Sequence, residues 1–130
     1  MTDTTPTDTG IRLGMVVLDT PDPRGLAAFY AGLLGWRLDP EDTSDDWVTI
    51  NGAGGAPMAF QLAPDHLPPT WPAGEVPQQF HLDLLVPDYE STEPHALALG
   101  ATPVQDDADH PGFRVYTDPS GHPFCLCLDR

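Results

Sequence analysis

PDPRGLAAFYAGLLG, residues 21–35, and PDYESTEPHALALG, residues 87–100, are the two stretches that set the architecture. In each, an aspartate suited to capping a helix follows a proline, and a Leu-Gly pair closes the segment after a nearly equal interval. Asp22 and Pro23 supply a side-chain cap and a first helical residue that needs no N–H partner. Leu26, Phe29, Tyr30, Leu33 and Leu34 then form an apolar stripe at helical spacing, and Gly35 is a natural stop. In the second stretch Asp88 is the helix-start candidate, and Ala96, Leu97 and Leu99 lead to Gly100. Pro94 requires either that this helix begin near Thr92 or that it kink.

Strands follow outward from the helices. Ile11–Asp19 (IRLGMVVLD) reads as a mostly buried strand before the first helix. Asp39–Asp46 reads as a loop or a ragged short strand. Trp47–Ile50 and Met58–Leu62 flank a glycine-rich turn at Asn51–Gly55, a hairpin pattern. Phe80–Val86 precedes the second helix. Thr102–Gln105, Phe113–Thr117 and Phe124–Leu128 follow it, with the turn DPSGHP at Asp118–Pro123. Between the halves lies Ala63–Gln79, with five prolines and no periodicity. The order is therefore strand, helix and three strands, given twice: module one at 11–62, a linker at 63–79 and module two at 80–128. The shared order of elements makes this an internal repeat.

The 130 residues are enough for one domain, and no apolar run is long enough to span a membrane. No signal-like start is present, which points to a cytoplasmic protein. Acidic residues outnumber basic ones 20 to 5, lysine is absent, and the net charge is −15. That surface repels phosphate backbones and anionic lipid, arguing against nucleic-acid and membrane partners, and attracts small cations. The 2 cysteines, Cys125 and Cys127, stand at i and i+2. In a strand their α-carbons lie about 6.5–7 Å apart, at or beyond the usual disulfide span, so both are read as free thiols in a reducing compartment.

DPRGLAAFYAGLLGW (22–36), FHLDLLVPD (80–88), ALALGA (96–101) and RVYTDPSGHPFCL (114–126) together resemble the vicinal oxygen chelate superfamily, in its glyoxalase-like branch. The resemblance covers most of residues 11–128. It implies an α+β fold of paired βαβββ modules whose curved sheets form a half-open cup, the glyoxalase/bleomycin resistance fold. It also implies a homodimer. Metal-using relatives place four ligands in the cup, mainly His and Glu. Carried onto this chain, those positions fall on Met15, Gln61, His81 and Cys125.

Strand alternation puts Gln79, His81 and Asp83 on one side of their strand, opposite Leu82 and Leu84. It likewise puts Cys125 and Cys127 opposite Phe124, Leu126 and Leu128. The apolar sets are expected under the helices, and the polar and soft sets in the cup. A hard divalent cation wants oxygen and imidazole ligands. Met15 offers a thioether, Gln61 one neutral oxygen, and no carboxylate stands at an inherited position. No metal or other cofactor is therefore assigned, and the inherited site is read as degenerate. Met15, Gln61, Gln79, His81, Asp83, Cys125 and Cys127 are the candidate ligand-binding residues.

Two function classes follow. One is a small-molecule-binding protein similar to bleomycin resistance relatives, holding a ligand of cationic character in the cup. The other is a metal-dependent lyase, isomerase or dioxygenase using His81 as ligand or as a base oriented by Asp83. A regulatory module with a vestigial cup is a third, weaker fit. His122 is expected to stabilise its turn rather than reach the cup. His95 and His110 are expected to be exposed. His66 and Trp71 in the linker either form a lid or pack on a sheet edge.

Overall fold

The computed structural model describes residues 5–53, 55–70, 74–108 and 111–129. Trp71 and His110 lie outside the described residues. The first module runs β1 (Val16–Thr20), α1 (Pro23–Leu34), β2 (Arg37–Thr43), β3 (Trp47–Asn51) and β4 (Met58–Leu62). The second runs β5 (Leu82–Val86), α2 (Tyr89–Leu99), β6 (Thr102–Gln105), β7 (Phe113–Thr117) and β8 (Pro123–Leu128). Each module makes one four-stranded mixed sheet, ordered β1-β4-β3-β2 and β5-β8-β7-β6. The opening strand of each module pairs in parallel with the closing one. Neither sheet closes on itself. No helix among the described residues is long and apolar enough to cross a membrane.

Helix α1 forms as its sequence dictates. The Asp22 carboxylate accepts from the Gly25 N–H at 3.1 Å, Pro23 opens the first turn, and Gly35 ends the helix at φ 72°. Its buried face, Leu26, Ala27, Phe29 and Tyr30, supplies the centre of the core. Tyr30 stacks on Phe60 of β4 with ring centroids 5.7 Å apart. Phe29 and Tyr30 also reach Phe124 of β8, at 5.9 and 6.3 Å, and Phe124 stacks on Tyr116 at 5.6 Å. One aromatic cluster thus joins the two modules.

Helix α2 is held differently. Ala96 is its one buried residue, and Asp88 caps it by accepting from the Ser91 N–H at 2.8 Å. Arg114 of β7 docks the helix, donating to Glu93 at 3.1 Å and lying over the Tyr89 ring at 4.1 Å. Tyr116 donates to the other oxygen of Glu93 at 2.7 Å. The helix does not start near Thr92: it begins at Tyr89 and carries the proline inside it, as the alternative reading of a helix continuing past Pro94 required. At that position the ring removes the bond that a residue 94 N–H would give to the Glu90 carbonyl. Pro94→Ala is expected to raise unfolding free energy by about 1–3 kcal/mol, read from the urea midpoint. An unchanged or lower midpoint would contradict it.

The starts of two strands, β1 and β5, are also corrected, and the ragged-strand reading of the acidic stretch is the one the structure shows. The first strand begins at Val16, not Ile11: Ile11 and Leu13 are 85% and 74% exposed and have no strand partner among the described residues. Val16 is the first residue with a partner, opposite Met58, and its N–H bonds the Pro57 carbonyl. The acidic stretch does pair, as β2, but irregularly, with a register shift between Leu38 and Thr43. β5 likewise begins at Leu82 rather than Phe80.

Candidate functional site

The register of β5 against β8 sets Asp83 directly beside Cys125 and Leu85 beside Cys127. Leu82 and Leu84, paired with Phe124 and Leu126, occupy the opposite face, toward the aromatic core. His81 stands two residues before Asp83, on the same side. Its Nε2 lies 3.0 Å from the Asp83 carboxylate. Donor atoms of His81, Asp83 and Cys125 all fall within 4.8 Å of one another. The alternation read in the sequence therefore brings three chemically different groups together: an imidazole, a carboxylate and a thiol.

Electrostatics fix the state of the thiols. Burial pushes the Cys125 thiol up to about 12, helped by the negative charge of Asp83. Cys127 is raised by the same two causes in the same order. Both cysteines are free and, at neutral pH, protonated: soft walls rather than nucleophiles. Asp83→Asn should bring both thiols down, and iodoacetamide should alkylate them about 3–10-fold faster at pH 8.5. Rates equal to or below those of the parent would show that Asp83 does not control them.

The remaining sequence candidates are more scattered. Gln61 is exposed on β4, opposite Asp19 of β1 and Trp47 of β3. Met15 is half-buried just ahead of β1. Both belong to the first module, and neither side chain is hydrogen-bonded to the His81 group among the described residues. Gln79, exposed ahead of β5, lines a different hollow, in the seam between modules.

That seam contains the residues the sequence reading missed. Asp118 is 3% exposed and accepts from the Tyr30 hydroxyl at 2.7 Å and from the Ser120 and His122 N–H groups at 2.8 and 3.0 Å. It thereby shapes the DPSGHP turn. His122 stabilises more than its own turn: its Nε2 bonds the Asp19 carbonyl of β1 at 2.6 Å. His66, from the linker, bonds the Ser120 carbonyl at 3.0 Å and packs on the His122 ring at 4.6 Å. Thr20 and Ser120 hydroxyls meet at 2.8 Å. His95 is exposed as expected, with its ring held 3.0 Å from the Gly32 carbonyl of α1.

A model of the glyoxalase-like domain matches residues 15–127, nearly the whole described fold. The chain belongs to the glyoxalase-like domain family. No curated protein matches it in sequence. Among solved structures, it is similar to a glyoxalase/bleomycin resistance protein/dioxygenase family enzyme from Burkholderia phytofirmans: TM-score 0.71, 19% identity, covering 88% of this chain and 96% of that one. A glyoxalase-related enzyme from Fulvimarina pelagi gives 0.66 at 16% identity, covering 91% and 88%. The fosfomycin resistance protein of Mesorhizobium loti gives 0.65 at 12% identity, covering 92% of each chain. At these identities the likeness is one of fold.

The four positions at which metal-using relatives place ligands fit a hard catalytic cation poorly in this glyoxalase-like protein. Met15 and Gln61 offer a thioether and an exposed neutral amide, and Cys125 holds its proton well into alkaline pH. Asp83 supplies a carboxylate, but from a position outside that set and in contact with His81.

Proposed function

We propose that this glyoxalase-like protein binds a small organic molecule of cationic character in its concave cup. The observation that carries the reading is the grouping of His81, Asp83 and Cys125 on one face of the second sheet. There an accessible carboxylate is flanked by an imidazole and by thiols that stay neutral. Asp83 orients a positive group, His81 adds a hydrogen-bonding ring, and the cysteines give a soft apolar floor. The −15 net charge concentrates cations near such a site. We place the protein in the cytoplasm, where free thiols persist, and expect it to be a homodimer.

Thermal-shift screening against cationic glycopeptides and a metabolite panel tests this reading. Stabilisation by cationic compounds, lost in Asp83→Asn, is the expected outcome. A panel without any stabilising compound, or one whose hits survive Asp83→Asn unchanged, would count against it.

A second reading is favoured by the same cluster. His81, Asp83 and Cys125 present nitrogen, oxygen and sulfur donors close enough to hold a thiophilic ion such as zinc. Such an ion would supply Lewis-acid chemistry of the lyase or isomerase kind, whereas a dioxygenase would need a redox-active metal such as iron(II) in its place. In its absence, His81 oriented by Asp83 is a candidate general base.

A further inference from the structure

Between the modules lies a cavity of about 370 Å³ whose lining includes none of His81, Asp83 and Cys125. Its floor is β1, with Val17 and Asp19. Its roof is the proline-rich segment, with Leu67, Pro69 and Pro77. Its rings are His66, Phe80 and His122. The sequence reading offered His66 and Trp71 as a lid over the cup or as packing on a sheet edge; Trp71 lies outside the described residues, and His66 instead bonds the Ser120 turn beside this seam. We propose that this seam is a ligand site in its own right, shaped for a compact aromatic cation, with Asp19 as its charge partner.

Four observations converge. The volume sits at the lower end of the range of roughly 300–1,000 Å³ for ligand pockets, which suits one or two rings rather than a large drug. The roof is anchored before any ligand arrives. His66 bonds the Ser120 carbonyl, the Ala63 N–H bonds the Thr20 carbonyl at 2.8 Å, and Pro68 lies against Gly121, where a Cβ would collide with it. Gly121 also sits at φ 86°, so the close approach depends on glycine twice over. A preformed roof spares a ligand the ordering entropy of a mobile loop.

The lining also chooses the ligand's chemistry. Asp19 is the one carboxylate in it, and its side chain has no hydrogen-bond or ion-pair partner among the described residues. None of the described arginines contributes: Arg114 is tied to Glu93 and Asp107, Arg24 lies 4.0 Å from Asp45, and Arg12 and Arg37 are elsewhere. His66 and His122 spend their Nε2 atoms on backbone carbonyls, and their rings pack on one another in the lining of the hollow. Phe80 and Leu67 are 62% and 70% exposed, apolar surface that a flat ligand would cover. A carboxylate beside aromatic faces selects a delocalised cation, attracted by charge and ring quadrupole together.

Isothermal titration with benzamidinium, phenethylammonium and benzoate tests the assignment. Benzamidinium should bind and benzoate should not. Asp19→Asn and Phe80→Ala should each weaken benzamidinium by roughly 3–10-fold. Both replaced side chains lie at the surface, and unchanged thermal unfolding will verify that the variants fold. Asp45→Asn, at an exposed carboxylate in neither site, should leave benzamidinium affinity as it is. Equal binding of benzoate, no binding of either cation, or affinity that ignores Asp19 and Phe80 but falls with Asp83→Asn would overturn the proposal. The cup reading could still stand in each of those cases, since it is tested by its own variant.

Discussion

Phe124→Ala is expected to cost about 3–5 kcal/mol of unfolding free energy. The ring is fully buried and touches Phe29 and Tyr30 of α1 as well as Tyr116 of β7. Its removal opens a cavity where the helix of the first module meets the sheet of the second. Partial collapse of the neighbours would put the loss at the lower end of that range. Urea unfolding followed by tryptophan fluorescence and by far-ultraviolet circular dichroism measures it. Because one aromatic cluster serves both modules, the two probes should shift together in a single transition. A loss below about 1 kcal/mol, or separate transitions, would mean that the modules are not joined through this ring.

Asp118→Ala should be nearly as damaging, by about 3–4 kcal/mol. The substitution strips the Tyr30 hydroxyl and two turn N–H groups of their acceptor at a buried position. Asp118→Asn should recover much of the loss, because an amide oxygen can still accept from the two backbone donors. Burial raises the Asp118 carboxyl above its usual range, outweighing the hydrogen bonds and the nearby His122 that lower it. The folded chain therefore holds this proton more tightly than the unfolded chain does. The group's contribution to stability falls as pH rises from the ordinary aspartate value of 3.8 to the raised one, and is level above it. Asp118→Asn should abolish that slope. A parent profile no steeper than that of the asparagine variant across this window would contradict the assignment.

The order of elements was legible because its signals are local. Asp22 with Pro23, Gly35, Asp88 and Gly100 mark helix ends by caps and stops that depend on a few neighbouring atoms. β4, β6 and β7 have the bounds their alternation predicts. Ile11 and Leu13 misled because alternation says that a strand could form, not that a partner exists. β4 begins at Met58, behind Pro57, so nothing is available to pair upstream of Val16. Pro94 left two starts open for α2: the cap at Asp88 and the docking of Glu93 on Arg114 and Tyr116 hold the earlier one, in a helix that propensity alone disfavours.

The candidate site divides along the same line. His81, Asp83, Cys125 and Cys127 share a face because alternation, readable from sequence, sets the side chains of each strand and the parallel pairing of β5 with β8 brings the two strands together. The seam is not so readable. His66 and His122 stand 56 residues apart and meet only because the linker, which carries no periodicity, folds back on the Asp118 turn. The DPSGHP motif was the available clue. Its aspartate and histidine were read as turn chemistry, whereas their reach to α1 and β1 depends on tertiary packing.

The central claim is that the cup holds an organic ligand rather than a catalytic cation. Equilibrium dialysis of the purified protein against nickel, iron(II) and zinc in turn, followed by elemental analysis, bears on it most directly. Far less than one equivalent of each metal should be retained, with no difference between the parent and His81→Ala. A full equivalent retained by the parent and lost on His81→Ala would contradict the account and return the cup to metal chemistry.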